Sequence, residues 1–226
     1  HMHNCRAITD RSLVALARHC RKLTSLDVSW CDGVTDDGIL QLRDGTRSLK
    51  HLNLGELRFR PSTVSALAAR CGWLRSVILS DTSMEDEALF QLATGCPRLT
   101  NLDVGSCQGI TIMGLNRALS LLQDLRILRV QWLECINSEG LIHPKLEVLD
   151  MSFCKYLTRE GLLMTAGRCV SLVHVDLAWC SKVADGEVYE LIACLPLIRT
   201  VNLRGVQQLS DRTNEVIASR GIVILK

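Results

Sequence analysis

One pattern, LxxLxLxxC, returns along most of this chain at intervals of mostly 25 or 26 residues, and that fixed period constrains the fold more than any other feature. Leu23, Leu26, Val28 and Cys31 open one unit. The framework recurs at Leu49, Leu52 and Leu54; at Leu74, Val77 and Leu79; and at Leu99, Leu102, Val104 and Cys107. It continues through Leu125, Leu128 and Val130; Leu146, Leu149, Met151 and Cys154; Leu172, Val175, Leu177 and Cys180; and Ile198, Val201 and Leu203. A partial unit precedes these (Cys5, Ile8, Leu13, Leu16, Cys20), and an apolar segment, Gly221 to Leu225, follows them.

Within each unit the LxL core alternates apolar and polar residues, the period of a strand with one buried face. Thr9-Asp10, Thr35-Asp36 and Ser210-Asp211 then supply a hydroxyl that can cap helix N–H groups and an acid that suits a helix N-terminus. Apolar residues follow at helical spacing, as in Leu13, Leu16, Ala17 and Cys20 or Ala88, Leu89, Leu92 and Cys96. Strand, crossover helix and next strand make an α/β coil that cannot bury its apolar face alone, so neighbouring coils must share one core. The expectation is a right-handed solenoid, one domain over residues 1–226, with parallel strands on a concave face and helices outside. His1-Met2 has the look of a cloning remnant.

The 11 cysteines are an odd number without a CxxC pair, which argues against a disulfide framework or a zinc site. They fall at repeat positions. Cys20, Cys71, Cys96, Cys169 and Cys194 end helical stretches, and Cys31, Cys107, Cys154 and Cys180 end the strand segment. We therefore expect reduced, buried core thiols in an intracellular protein, cytoplasmic or nuclear. Acids and bases intermingle to a net charge of +2, unlike a phosphate-binding surface, so no nucleic-acid partner is expected. No apolar run approaches the roughly 20 residues of a membrane helix, and no secretory signal opens the chain.

Two units depart from the pattern. Leu125 to Leu146 spans fewer residues than its neighbours, and Asn137 to Pro144, with Gly140 inside it, replaces a three-turn helix. Elsewhere Leu57-Arg58-Phe59-Arg60-Pro61 stands where other units carry Cys-x-x-Val-Thr; the arginines should be solvated and Pro61 suits a helix start.

The candidate site lies between the leucines. The outward position inside LxL reads Asp27, Asn53, Ile78, Asp103, Arg129, Asp150, Asp176 and Asn202, a run that strand propensity disfavours. This strip either meets a basic partner segment or keeps an exposed sheet soluble. Three positions further on stand Trp30, Glu56, Asp81, Ser106, Trp132, Phe153, Trp179 and Gly205, with Arg204 beside the last. Trp132, Phe153 and Trp179 occupy consecutive coils, which puts three rings within roughly 10 Å. Such rings are either interface anchors or a stack that closes the corner after the strand. Trp73 lies in another register and is expected to pack.

No catalytic constellation accompanies these columns. His19, His51, His143 and His174 fall at unrelated repeat positions, and no Ser-His-Asp, HExxH or phosphate-loop arrangement occurs. We expect no enzymatic activity, no cofactor and no metal.

The segments LDVSWCDGVTDDGI (Leu26 to Ile39), LDVGSCQGIT (Leu102 to Thr111) and LDMSFCKYLTREGL (Leu149 to Leu162) resemble the cysteine-containing leucine-rich repeats of F-box proteins. The resemblance covers nearly the whole chain. It implies a leucine-rich repeat horseshoe whose concave face captures a protein substrate or peptide for a cullin–RING ubiquitin ligase. The ligase adaptor would be contacted only through an F-box module upstream. Similar repeats also occur in scaffolds, inhibitors and cytoskeletal or ciliary adaptors without an F-box, and the family has no shared catalytic residues.

Overall fold

The computed structural model describes residues 2–46, 48–206 and 209–225, so His1 of the expected remnant lies outside the described residues. Two compact units divide the chain, His1–Leu125 and Arg126–Lys226, and the division falls where the short repeat begins.

In the first unit β1 (Ser25–Asp27), β2 (His51–Asn53), β3 (Ser76–Ile78) and β4 (Asn101–Asp103) pair in parallel and in chain order. Helices α1 (Asp10–His19), α2 (Asp36–Gly45), α3 (Pro61–Ala68), α4 (Asp86–Gly95) and α5 (Ile112–Leu119) alternate with them, each packed on the next. In the second unit β5 (Ile127–Arg129), β6 (Val148–Asp150), β7 (His174–Asp176), β8 (Thr200–Asn202) and β9 (Val223–Leu225) form the same parallel ladder. Helices α6 (Arg159–Arg168), α7 (Asp185–Cys194) and α8 (Asp211–Ser219) accompany it. The expected α/β architecture of short parallel strands joined by helices is present in both units.

Register follows the leucines. Leu26, Leu52, Val77 and Leu102 are direct strand partners in one unit, as are Leu128, Leu149, Val175 and Val201 in the other. All eight are 5% exposed or less, so each of these strands sends its central residue into the core and leaves its ends at least partly outside, except that Asp103 at the end of β4 is buried. The helices bury a matching stripe, for example Leu89, Leu92 and Ala93 of α4 or Leu162 and Ala166 of α6.

Helix starts do more than cap themselves. Thr35, Thr111, Thr158 and Ser210 accept hydrogen bonds from backbone N–H groups of their own helices. The acid at the first helical position reaches instead to the cap of the next coil. Asp10 accepts from the Thr35 N–H (2.8 Å) and hydroxyl (2.7 Å), and Asp86 from the Thr111 N–H (2.7 Å) and hydroxyl (2.6 Å). Asp185 accepts from the Ser210 N–H at 2.9 Å, and the Thr213 and Ser210 bonds hold its carboxyl below the ordinary carboxylate range. Asp36 finds its partner in the irregular unit: it accepts from the Arg60 N–H and the Thr63 hydroxyl and pairs with the Arg60 guanidinium at 3.4 Å. Arg60 is thus exposed, as expected, yet tied. Leu57 and Phe59 are buried in that unit, and Pro61 opens α3.

The thiols are core groups with polar partners. Cys107 donates to the Leu79 carbonyl (3.1 Å), Cys180 to that of Met151 (3.1 Å) and Cys96 to that of Cys71 (3.3 Å), each one coil back. Burial pushes the Cys96 thiol to about 12 and those of Cys169 and Cys180 to about 11. The expectation that every helix-ending cysteine is buried fails at two positions, partly at Cys20, which is half-buried, and fully at Cys194. Cys96 and Cys169 are helix C-caps in the core, whereas α7 extends through Cys194, its cap is Leu195, and Leu195 takes the buried slot. Cys194 is exposed, and Cys5, Cys20 and Cys135 are half-buried. Alkylation of the native protein at about pH 8 should therefore modify Cys194 first, and the seven buried thiols only on unfolding. Peptide mapping after a short iodoacetamide pulse reads this order directly.

Between β5 and β6 the described residues contain no helix, in agreement with Gly140 and Pro144. The loop is packed nonetheless: Leu141 and His143 are buried, and the Leu141 N–H donates to the Thr165 hydroxyl on α6 (2.9 Å). Gly161 permits this, since a Cβ there would lie 1.7 Å from the Asn137 carbonyl oxygen.

Candidate interaction surface

A β-turn follows almost every strand, closed in the first unit by Cys31 N–H to Val28 O (3.2 Å) and in the second by Cys154 N–H to Met151 O (3.2 Å). Its third residue is the column picked out in the sequence. Trp30, Glu56, Asp81 and Ser106 have φ between 53° and 62°, as do Trp132, Phe153 and Trp179, and Gly205 has φ 84°. These are type II turns, whose third position requires positive φ and ordinarily takes Gly or Asn. An L side chain there costs about 1–2 kcal/mol. The conformation is held where a column N–H bonds the adjacent coil: Trp30 to Gly55 O (3.3 Å), Trp132 to Ser152 O (3.0 Å), Phe153 to Ala178 O (2.8 Å) and Trp179 to Arg204 O (2.8 Å).

The outward Asp/Asn position organises the same turn. Asp27, Asn53 and Asp103 each accept from the N–H two residues on (3.0–3.1 Å), and Asp150, Asp176 and Asn202 do likewise (2.9–3.1 Å). These Asx turns explain why six of the eight positions carry a residue that strands disfavour. Asp103 is moreover buried, at 7% exposure, so it is not an outward group of the expected strip. The Asn202 amide donates to Asp176 across coils (2.8 Å), which further occupies that carboxylate. Arg129 stands where Asp or Asn would, and with Asp150, His174, Asp176, Thr200 and Asn202 it borders a shallow depression of about 270 Å³ on the strand face of the second unit.

The rings sit on this framework. Trp132 and Phe153 stack with centroids 4.2 Å apart and planes inclined by 7°; Phe153 and Trp179 follow at 6.3 Å and 19°. Trp179 in turn covers Gly205, where a Cβ would come within 2.6 Å of the indole. Trp132 and Trp179 remain 53% and 52% exposed, and Trp30 in the first unit 54%. Stacking and solvent exposure therefore coexist. Trp73 is half-buried outside the column, as its register implies.

In the first unit two acids occupy neighbouring column positions. Burial, with the adjacent Asp81 carboxyl, raises the Glu56 carboxyl to about 7. A folded value above the ordinary one means this group favours folding below about pH 4.5 and loses that contribution as pH rises through about 7. Glu56→Gln should therefore raise the thermal midpoint relative to the parent more at about pH 8 than at about pH 5, as calorimetry at the two values would show.

No group of three or more His, Cys, Asp or Glu side chains with metal-holding geometry occurs among the described residues. The surface offers turn amides already satisfied, exposed rings and scattered cations.

Comparison with known proteins agrees with this architecture. The family model described as "At1g61320/AtMIF1, LRR domain" matches residues 38–214, and a "Leucine Rich repeat" model matches residues 19–42. F-box/LRR-repeat protein 4 of Bos taurus is 28% identical over 76% of the chain, and the DNA repair protein rhp7 of Schizosaccharomyces pombe is 25% identical over 94%. The chain spans only 25% and 40% of those two proteins. The leucine-rich repeat-containing protein LegL7 from Legionella pneumophila shares the fold, with a TM-score of 0.58 and 12% identity over 98% of this chain and 79% of that one. Since that family model spans residues 38–214, most of its length, this chain belongs to the leucine-rich repeat family of the At1g61320/AtMIF1 LRR-domain type.

Proposed function

We propose that this domain recognises a protein partner through the turn column of its second unit, and that it serves as the substrate-binding part of an F-box-type subunit of a cullin–RING ubiquitin ligase. The stacked rings Trp132, Phe153 and Trp179 in left-handed backbone, with both indoles about half exposed, carry the recognition reading. Glycine would fill these positions without strain, as it does at Gly205. Burial and stacking of about half an indole return roughly 2 kcal/mol, of which the left-handed backbone consumes about 1. That leaves little folding advantage for rings this large. Around the rings, Arg129, Asp150, Asp176 and Arg204 are the further contributors, and Trp30 is a separate candidate within the first unit.

Support for the ligase role comes from relatives named F-box/LRR-repeat protein 4 and F-box protein MAX2 homolog A. The F-box module would lie outside the residues described, and the whole assembly would act inside the cell. No helix among the described residues is long and apolar enough to cross a membrane. Affinity purification of the full-length protein tests the ligase role: adaptor and cullin subunits should co-purify, and their absence with the upstream region intact would overturn it. In that event the same surface serves a scaffold, inhibitor or adaptor.

A further inference from the structure

Charge around the rings is unevenly distributed. The turn segments that carry Trp132, Phe153, Trp179 and Gly205 contribute three cations, Lys155, Lys182 and Arg204, against one carboxylate, Glu134. Glu134 is held by Lys155 at 2.7 Å. The nearby strand carboxylates Asp150 and Asp176 are engaged by turn N–H groups. Tyr156, itself exposed, has the Lys155 ammonium 4.9 Å and the Lys182 ammonium 6.0 Å from its ring centroid. Lys182 and Arg204 are exposed and have no carboxylate partner among the described residues. The aromatic ladder is thus an apolar ridge about 10 Å long, edged by cations and by a phenol between two ammonium groups.

From this complementarity we infer that the ridge takes a short acidic segment of a partner protein, with apolar side chains against Trp132, Phe153 and Trp179 and carboxylates on Lys182, Arg204 and the Tyr156–Lys155 corner. This rests on the recognition reading above and specifies the partner's chemistry. An extended chain advances about 3.3 Å per residue, so about three residues cover the rings and acids at either side reach the cations. The rings supply contact area at low entropic cost, while the cations select sign and register. A basic segment would instead meet like charge from Lys182 and Arg204 along this edge.

A random peptide library displayed on phage, selected on the intact chain and counter-screened on the Trp132→Ala/Trp179→Ala variant, tests this. Ring-dependent peptides should carry net negative charge with at least one large apolar residue. Their affinity, read by fluorescence anisotropy, should fall at least about tenfold on Lys182→Glu and weaken as salt is raised. Lys182 is fully on the surface, so that variant remains informative if the double alanine variant folds poorly. Ring-dependent peptides that are neutral or basic, or acidic ones indifferent to Lys182→Glu, would overturn the acidic-segment inference and leave the ring surface standing. Failure to enrich any ring-dependent peptide would overturn both.

Discussion

Gly161→Val should cost the second unit more than about 3 kcal/mol, enough to abolish its cooperative unfolding transition or lower its midpoint steeply. Gly161 is the third residue of α6, and the helix-less coil before it lies against this helix. Even the first atom of a side chain would stand 1.7 Å from the Asn137 carbonyl oxygen and 3.1 Å from the Ser138 Cα. Backbone cannot yield as a side-chain tip does, so α6 must shift away from Leu141 and His143, exposing buried groups. Gly167, in the same helix, provides the control: a Cβ there meets nothing within 4 Å. Gly167→Ala should be neutral or stabilising by about 0.5–1 kcal/mol, because a helical glycine gives up more chain entropy than alanine. Urea titrations of the two variants give opposite signs on this account.

The second large effect concerns binding. Replacing Trp132 and Trp179 together by Ala should weaken partner affinity by at least about 100-fold, since central aromatic anchors carry about 2 kcal/mol or more each on truncation. Folding stability should fall by only about 1–2 kcal/mol per site, less than a core Leu→Ala substitution, which costs about 2–5 kcal/mol. Gly205→Ala offers a subtler route to the same site. It adds a Cβ at positive φ beneath the Trp179 indole, within 2.6 Å of it, and so must displace the ring without removing it.

Much of this was legible before any coordinates. The leucine period gave strand positions, register and the helix-free coil, because one buried face per strand and Pro144 with Gly140 leave little choice. The aromatic column was legible as a column but not as a turn. Nothing in Trp30, Trp132 or Trp179 signals positive φ, since the residue types contradict the conformation. A signal was nevertheless present at Gly205 in the same register, the residue such a turn ordinarily requires. Docking charge and solubility, the two roles the Asp/Asn strip suggests in sequence, both leave out the Asx turns these residues form. The Thr-Asp pairs were understood within one helix, while their bonds run between coils, as from Asp86 to Thr111. Period-based reading identifies what repeats but not which atoms of successive repeats touch. Cys194 was misplaced for a related reason, a shift of one residue at the end of α7.

Photo-crosslinking decides whether the aromatic column of the second unit meets a partner. A benzoylphenylalanine placed at Phe153, between the two indoles, should capture a protein in cells expressing the full-length chain. The same probe at Met164, exposed on α6, should not. Capture at Met164 with none at Phe153 would contradict the account and return the aromatic stack to a purely structural role.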